Sequence, residues 1–181
     1  MGLPDQLTVA RILSVPVVIT LYVWDFPHNE YWATVVFAVA MATDWLDGRL
    51  ARRWDRTSVL GSLLDPMADK VLVLTVLIVL LDDGVFPAWM VATIVARELL
   101  VSGLRLAALE RGVVMHARDL GKLKTWAQAV AAAVGGFAAA GAWSDTAAWW
   151  TLLVALVLTW LSGLDYAREA PALLRRGAVA Q

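Results

Sequence analysis

Cysteine is absent from this 181-residue chain, which excludes a disulfide framework, a thiolate nucleophile and a Cys-ligated metal. Histidine is nearly absent too: His28 and His116 fall in expected loops with no metal-ligand partners near them in sequence, and neither enters the chemistry considered below. A strong net charge is also missing. With 15 Lys+Arg against 16 Asp+Glu the formal charge is −1, so no positive field is available to hold nucleic acid, and no such partner is expected. Charge of either sign is scarce, at 17% of residues against 60% apolar, with a mean hydropathy of +0.67. A soluble domain has about 25% charged and 45–50% apolar residues. This composition belongs in a membrane.

Apolar stretches run at about 9–24, 31–51, 62–81, 86–109, 123–143 and 147–167. Six membrane-spanning helices of about 20 residues would use roughly 120 of the 181 residues, which leaves no room for a second globular domain. The expectation is an all-α, polytopic membrane protein with six transmembrane helices, organised as a single integral membrane domain over residues 1–181. The first stretch is read as a retained helix and not a cleavable signal, because nothing basic precedes Arg11 and no small-x-small site follows near Trp24.

Basic residues are missing from three connections: Asp25 to Glu30, Asp82 to Phe86 and Ser144 to Thr146. They collect on the other side, with Arg49, Arg52, Arg53 and Arg56 between stretches 2 and 3, Arg111, Arg118, Lys122 and Lys124 between 4 and 5, and Arg168, Arg175 and Arg176 after 6. By the positive-inside rule both termini and the basic connections face the cytoplasm. Trp24, Trp32, Trp89, Trp143, Trp149 and Trp150 cluster near the opposite ends, as an interfacial aromatic belt does. The small-residue run Ala131 to Gly141 is expected to pack closely on a neighbouring helix or a second subunit.

Against this background four acids stand out. Asp44 and Asp47 end stretch 2, and Asp65 and Asp69 begin stretch 3. At about 100° per residue, positions 44, 47, 48 and 51 share one helical face, and 61, 65 and 69 form a stripe spaced by four. The turn between the two helices brings them back antiparallel, with the acidic faces able to meet. Four like charges at a membrane boundary repel unless cations bind there. Two Mg²⁺-like ions would balance them, with all-oxygen ligation by Asp44, Asp47, Asp65 and Asp69. Gly48, Ala51 and Gly61 leave space beside the acids, and Arg52 adds a planar donor fork suited to phosphate. A metal-bound diphosphate fits this description.

The spelling is Asp-x-x-Asp-Gly-x-x-Ala-Arg, eight residues, then Gly-x-x-x-Asp-x-x-x-Asp, with Asp44, Asp47, Gly48, Ala51, Arg52, Gly61, Asp65 and Asp69 at the fixed positions. It resembles the signature of the CDP-alcohol phosphatidyltransferases. The resemblance implies a homodimeric six-helix membrane enzyme with a cytoplasm-facing site, dependent on two divalent cations, Mg²⁺ or Mn²⁺. It also implies transfer of a phosphatidyl group from CDP-diacylglycerol to an alcohol with release of CMP, and a role for Asp69, the last acid, as the base that deprotonates the acceptor. The segments Leu3 to Ile12, Ala96 to Arg105 and Gly121 to Thr125 resemble a bacterial branch of the family whose acceptor is glycerol 3-phosphate. Asp5 stands where that branch usually has Asn, and is read here as an N-cap.

An acceptor carrying its own phosphate needs further cations. Arg97, Arg105, Arg118, Lys122 and Lys124 are the candidates. Arg97 lies near the middle of its span, where a guanidinium must face a polar cavity or a partner, and the neighbouring Glu98 is expected to pair with something similar nearby. For Arg97 and Glu98 the alternative is a structural ion-pair network; for Lys122 and Lys124 it is snorkelling to anionic lipid. Inositol phosphate, serine or phosphatidylglycerol are alternative acceptors, and a cation or proton transporter is the non-enzymatic alternative, weakly supported because the acids sit at one interface and no repeated half is visible.

Overall fold

The computed structural model describes the backbone of residues 3–51, 59–110 and 119–179, and the side-chain surroundings of 12–43, 70–108 and 120–165. Six helices follow one another: α1 (Leu3–Val23), α2 (Asn29–Ala51), α3 (Val59–Asp82), α4 (Ala88–Glu110), α5 (Asp119–Ala139) and α6 (Asp145–Val179). Each expected stretch is a helix, and no strand occurs among the described residues. α1 begins earlier than its apolar run, so Asp5 lies inside the first turn. The N-cap reading of Asp5 is corrected accordingly. α6 continues well past the apolar run to Val179.

Turn chemistry stops the helices where the apolar runs stop. Gly84 at φ 76° ends α3, with Val85 N and Phe86 N both donating to Leu80 O. Gly141 at φ 69° ends α5, with Ala142 N donating to Phe137 O. Both positions need the left-handed backbone that glycine adopts without penalty. Ser144 caps α6 by accepting Ala147 N at 3.3 Å. Pro16 sits inside α1, where its missing N–H leaves a carbonyl one turn back without its usual donor.

α5 is the centre of the bundle: it packs on α2, α3 and α6, while α1 bridges α2 and α3 and α4 lies against α3 and α6. The small-residue run explains this place. Ala131, Ala132 and Ala138 are buried, and a Cβ at Gly135 would strike the Phe86 ring. At Gly136 a Cβ would strike the hydroxyls of Thr34 and Tyr22, which are themselves hydrogen-bonded at 2.9 Å. The close packing expected of this helix is therefore made within the chain. Around it Phe37, Leu72, Val76, Leu80, Met90, Ile94 and Leu152 form the core.

The outside of the bundle is apolar as well. Leu13 on α1, Val39 on α2, Leu99 and Leu100 on α4, and Val154 and Leu161 on α6 are all exposed along the helix shafts. Such a surface is unsuited to water and suited to lipid. Asp145–Asp165 is long and apolar enough to cross a membrane, with mean hydropathy 1.7, and Ile12–Val23 is a shorter apolar helix. α4 and α5 carry Arg97, Glu98, Arg105, Lys122, Lys124 and Gln128, which lower their mean hydropathy although most of these side chains point inward. Trp24, Trp32, Trp89, Trp143, Trp149 and Trp150 are exposed, all at the end holding the three connections without basic residues.

Candidate active site at the basic end of the bundle

The signature residues fall on two helix ends. Asp44, Asp47, Gly48 and Ala51 lie in the last turns of α2, and Gly61, Asp65 and Asp69 in the first turns of α3. Their side chains lie outside the described surroundings, as do Arg52 and Arg118 altogether. Among the described residues no group of three acids or histidines comes together to hold a metal. The helical register expected for positions 44 to 51 and 61 to 69 is present in the backbone. The donor set, four carboxylates with no thiolate or imidazole, suits a hard divalent cation.

The start of α2 marks the opposite end of the molecule. There Asn29 Nδ2 donates to Tyr22 O at 2.9 Å, and the Tyr22 and Thr34 hydroxyls share a hydrogen bond of 2.9 Å, pinning α1 to α2. α2 runs from this end, past Gly136 near the end of α5, toward the signature. α3 begins at the signature, and its Lys70, the residue after Asp69, reaches α4: Nζ donates to Ser102 Oγ at 2.7 Å and lies 3.5 Å from Glu98 Oε2.

Glu98 is the hub of a buried polar cluster between α3, α4, α5 and α6. It is 1% exposed. Its Oε1 accepts from Arg97 Nη1 at 2.9 Å, from Gln128 Nε2 at 3.3 Å and from Lys124 Nζ. Arg97 Nη2 donates to Ser162 Oγ at 3.0 Å, and Gln128 Nε2 to Thr159 Oγ1 at 2.7 Å. Gly163, next to Ser162 on α6, gives the guanidinium its room, since a Cβ there would lie 2.9 Å from Arg97 Nε. Burying these charges is costly, and the several hydrogen bonds that converge on Glu98 Oε1 are what make the arrangement tenable.

Three cations thus share one carboxylate: Lys70, Arg97 and Lys124. Among the described residues cations outnumber carboxylates in this cluster, an arrangement suited to an incoming anion. Of the residues expected to meet the acceptor's phosphate, the structure brings Arg97 and Lys124 together on Glu98, leaves Arg105 half-buried one turn beyond Ser102, and leaves Lys122 exposed. The ion-pair network weighed for Arg97 and Glu98 is present, and Lys124, buried at 6% exposure, does not snorkel outward. Sequence reasoning missed Lys70, Ser102, Gln128, Thr159, Ser162 and Gly163. The available signal was the density of polar residues one helical turn apart on otherwise apolar helices, such as Lys124 with Gln128 and Thr159 with Ser162.

Residues 1–161 match the CDP-alcohol phosphatidyltransferase family. A Bacillus subtilis protein named CDP-diacylglycerol--glycerol-3-phosphate 3-phosphatidyltransferase is 40% identical over 142 residues, covering 72% of this chain and 74% of its own length. The Escherichia coli K12 protein of the same name is 35% identical over 177 residues, covering 94% and 96%. That of Blochmanniella floridana is 38% identical over 135 residues, covering 72% and 70%. With these matches the transporter alternative gives way to a transferase. The chain belongs to the CDP-alcohol phosphatidyltransferase family.

Proposed function

We propose that this chain transfers the phosphatidyl group of CDP-diacylglycerol to sn-glycerol 3-phosphate, giving phosphatidylglycerophosphate and CMP. One observation carries the choice of acceptor: the α3 end that bears Asp65 and Asp69 runs directly into a buried cluster of cations, through Lys70. Acids suited to a metal-bound diphosphate and cations suited to a second, acceptor phosphate therefore occupy one end of the bundle. The names carried by the relatives in Bacillus subtilis and Escherichia coli support the same acceptor.

In this reading Asp44, Asp47, Asp65 and Asp69 would hold two divalent cations, Mg²⁺ or Mn²⁺, whose chemistry is to neutralise the diphosphate and the departing CMP. Arg52, with the space beside Gly48, Ala51 and Gly61, holds the nucleotide end of the donor. Arg97, Arg105, Arg118, Lys122 and Lys124 supply the positive field for the acceptor, with Arg97 and Lys124 acting from their places on Glu98. Asp69 takes the proton of the acceptor hydroxyl as its oxygen bonds to the phosphorus next to diacylglycerol, and the bond from that phosphorus to CMP breaks. The protein works as a homodimer among membrane lipids. Its six helices cross the cell membrane, with the site and both termini on the cytoplasmic side, as the basic connections indicate.

The test is CMP release by purified protein with CDP-diacylglycerol and one acceptor at a time. Glycerol 3-phosphate is expected to support turnover, and inositol phosphate, serine and phosphatidylglycerol are not. Faster turnover with any of these three would overturn the assignment of the acceptor while keeping the chemistry.

A further inference from the structure

We propose that Lys70 is a substrate-binding residue, the cation that directly contacts the acceptor's phosphate, held ready by Ser102 and Glu98. The inference rests on the acceptor reading above and adds a residue to it. Among the three cations on Glu98, Arg97 and Lys124 are locked: their side chains are 3% and 7% exposed, and both bond Oε1 of the same carboxylate. Lys70 differs in each respect. Its side chain is 24% exposed, it faces the other carboxylate oxygen at a looser 3.5 Å, and its short hydrogen bond, 2.7 Å, goes to a neutral hydroxyl, Ser102 Oγ.

An ammonium on a flexible four-carbon stem can exchange a hydroxyl and a loose ion pair for a phosphate oxygen with little rearrangement. A guanidinium wedged between Glu98, Ser162 and Gly163 cannot. Position in the chain adds to this. Lys70 lies in the turn of α3 that follows the signature acids, so a phosphate held by Lys70 is held at the end of the bundle that carries them. Arg105, half-buried one turn beyond Ser102 on α4, places a further cation on this part of the bundle.

The test compares wild-type protein with Lys70→Gln, Lys70→Arg and Ser102→Ala in detergent–lipid micelles. Lys70→Gln is expected to raise the KM for glycerol 3-phosphate by about tenfold or more while the KM for CDP-diacylglycerol stays within about twofold. Lys70→Arg should recover most of the acceptor affinity. Ser102→Ala, which frees the ammonium without removing it, should give a smaller rise in the acceptor KM, and carries the test where Lys70→Gln does not fold. A second readout needs no turnover: inorganic phosphate should raise the unfolding temperature of the wild type, and Lys70→Gln should abolish the shift. Equal rises in both KM values, an unchanged acceptor KM, or a phosphate-induced shift that survives the substitution overturns the proposal. A wild type that is protected by phosphate yet releases no CMP with glycerol 3-phosphate overturns the acceptor reading instead and leaves the Lys70 site standing.

Discussion

Glu98 is the residue on which most of the buried charge depends. Without its carboxylate, Arg97 and Lys124 would lose the buried anion that they share. Removing one partner of a buried ion pair costs about 3–5 kcal/mol, far more than the pair contributes relative to an apolar replacement. Glu98→Gln should therefore lower stability by about that amount, read from unfolding in detergent. A loss within ordinary surface-substitution range would show that the cluster is solvated. Asp83 presents the opposite electrostatic case, on the loop after α3. Partial desolvation first, then the charges of Glu30 and Asp82, raise its pKa above the usual carboxylate value of 3.8. The folded state then holds this proton more tightly than the unfolded chain, so stability falls as pH rises through the raised value and stays lowered above it. Asp83→Asn should raise the unfolding temperature at neutral pH, with the gain shrinking as pH falls toward 4.

At the scale of elements, α5 shows how a stretch of low complexity can determine an arrangement. Its alanines and paired glycines let three other helices close on it, with the Phe86 ring against Gly135 and the Tyr22–Thr34 hydroxyl pair against Gly136. Gly136→Ala should force these hydroxyls apart and cost about 1–3 kcal/mol, the usual range for overpacking. Gly103, with open space around it, should accept alanine without loss by the same unfolding measurement. The six helices were legible in the sequence because apolar runs of spanning length, ended by Gly84, Gly141 and Ser144, leave few alternatives. The partner of α5 was not legible, since small residues announce a close approach without saying to what. Nor was the role of Lys70: beside two signature acids it reads as one more charge in a polar turn, and only the packing of α3 on α4 brings it to Ser102 and Glu98. Asp5 was misread because the polar start of α1 hides a helix that begins before its apolar face does.

The whole molecule divides by end. One end carries six of the exposed tryptophans, Trp24, Trp32, Trp89, Trp143, Trp149 and Trp150, with the tight Gly84 and Gly141 turns and the acidic loops; the other carries the signature-bearing ends of α2 and α3 and the charges around Glu98. An apolar shaft separates them, with leucine and valine outside as well as inside. This polarity lets a lipid-linked donor stay in the bilayer while a small charged acceptor arrives from water at one face. In the proposed reaction the acids at that face handle the donor's diphosphate together with divalent cations. The most direct measurement is CMP release from CDP-diacylglycerol on addition of glycerol 3-phosphate, with Mg²⁺ or Mn²⁺ supplied or chelated, for the wild type and Asp69→Asn. Release should require both the divalent cation and the acceptor, and Asp69→Asn should lose turnover by about a thousandfold or more while still binding the lipid donor. Release that continues under chelation, or near-normal turnover by Asp69→Asn, would contradict it.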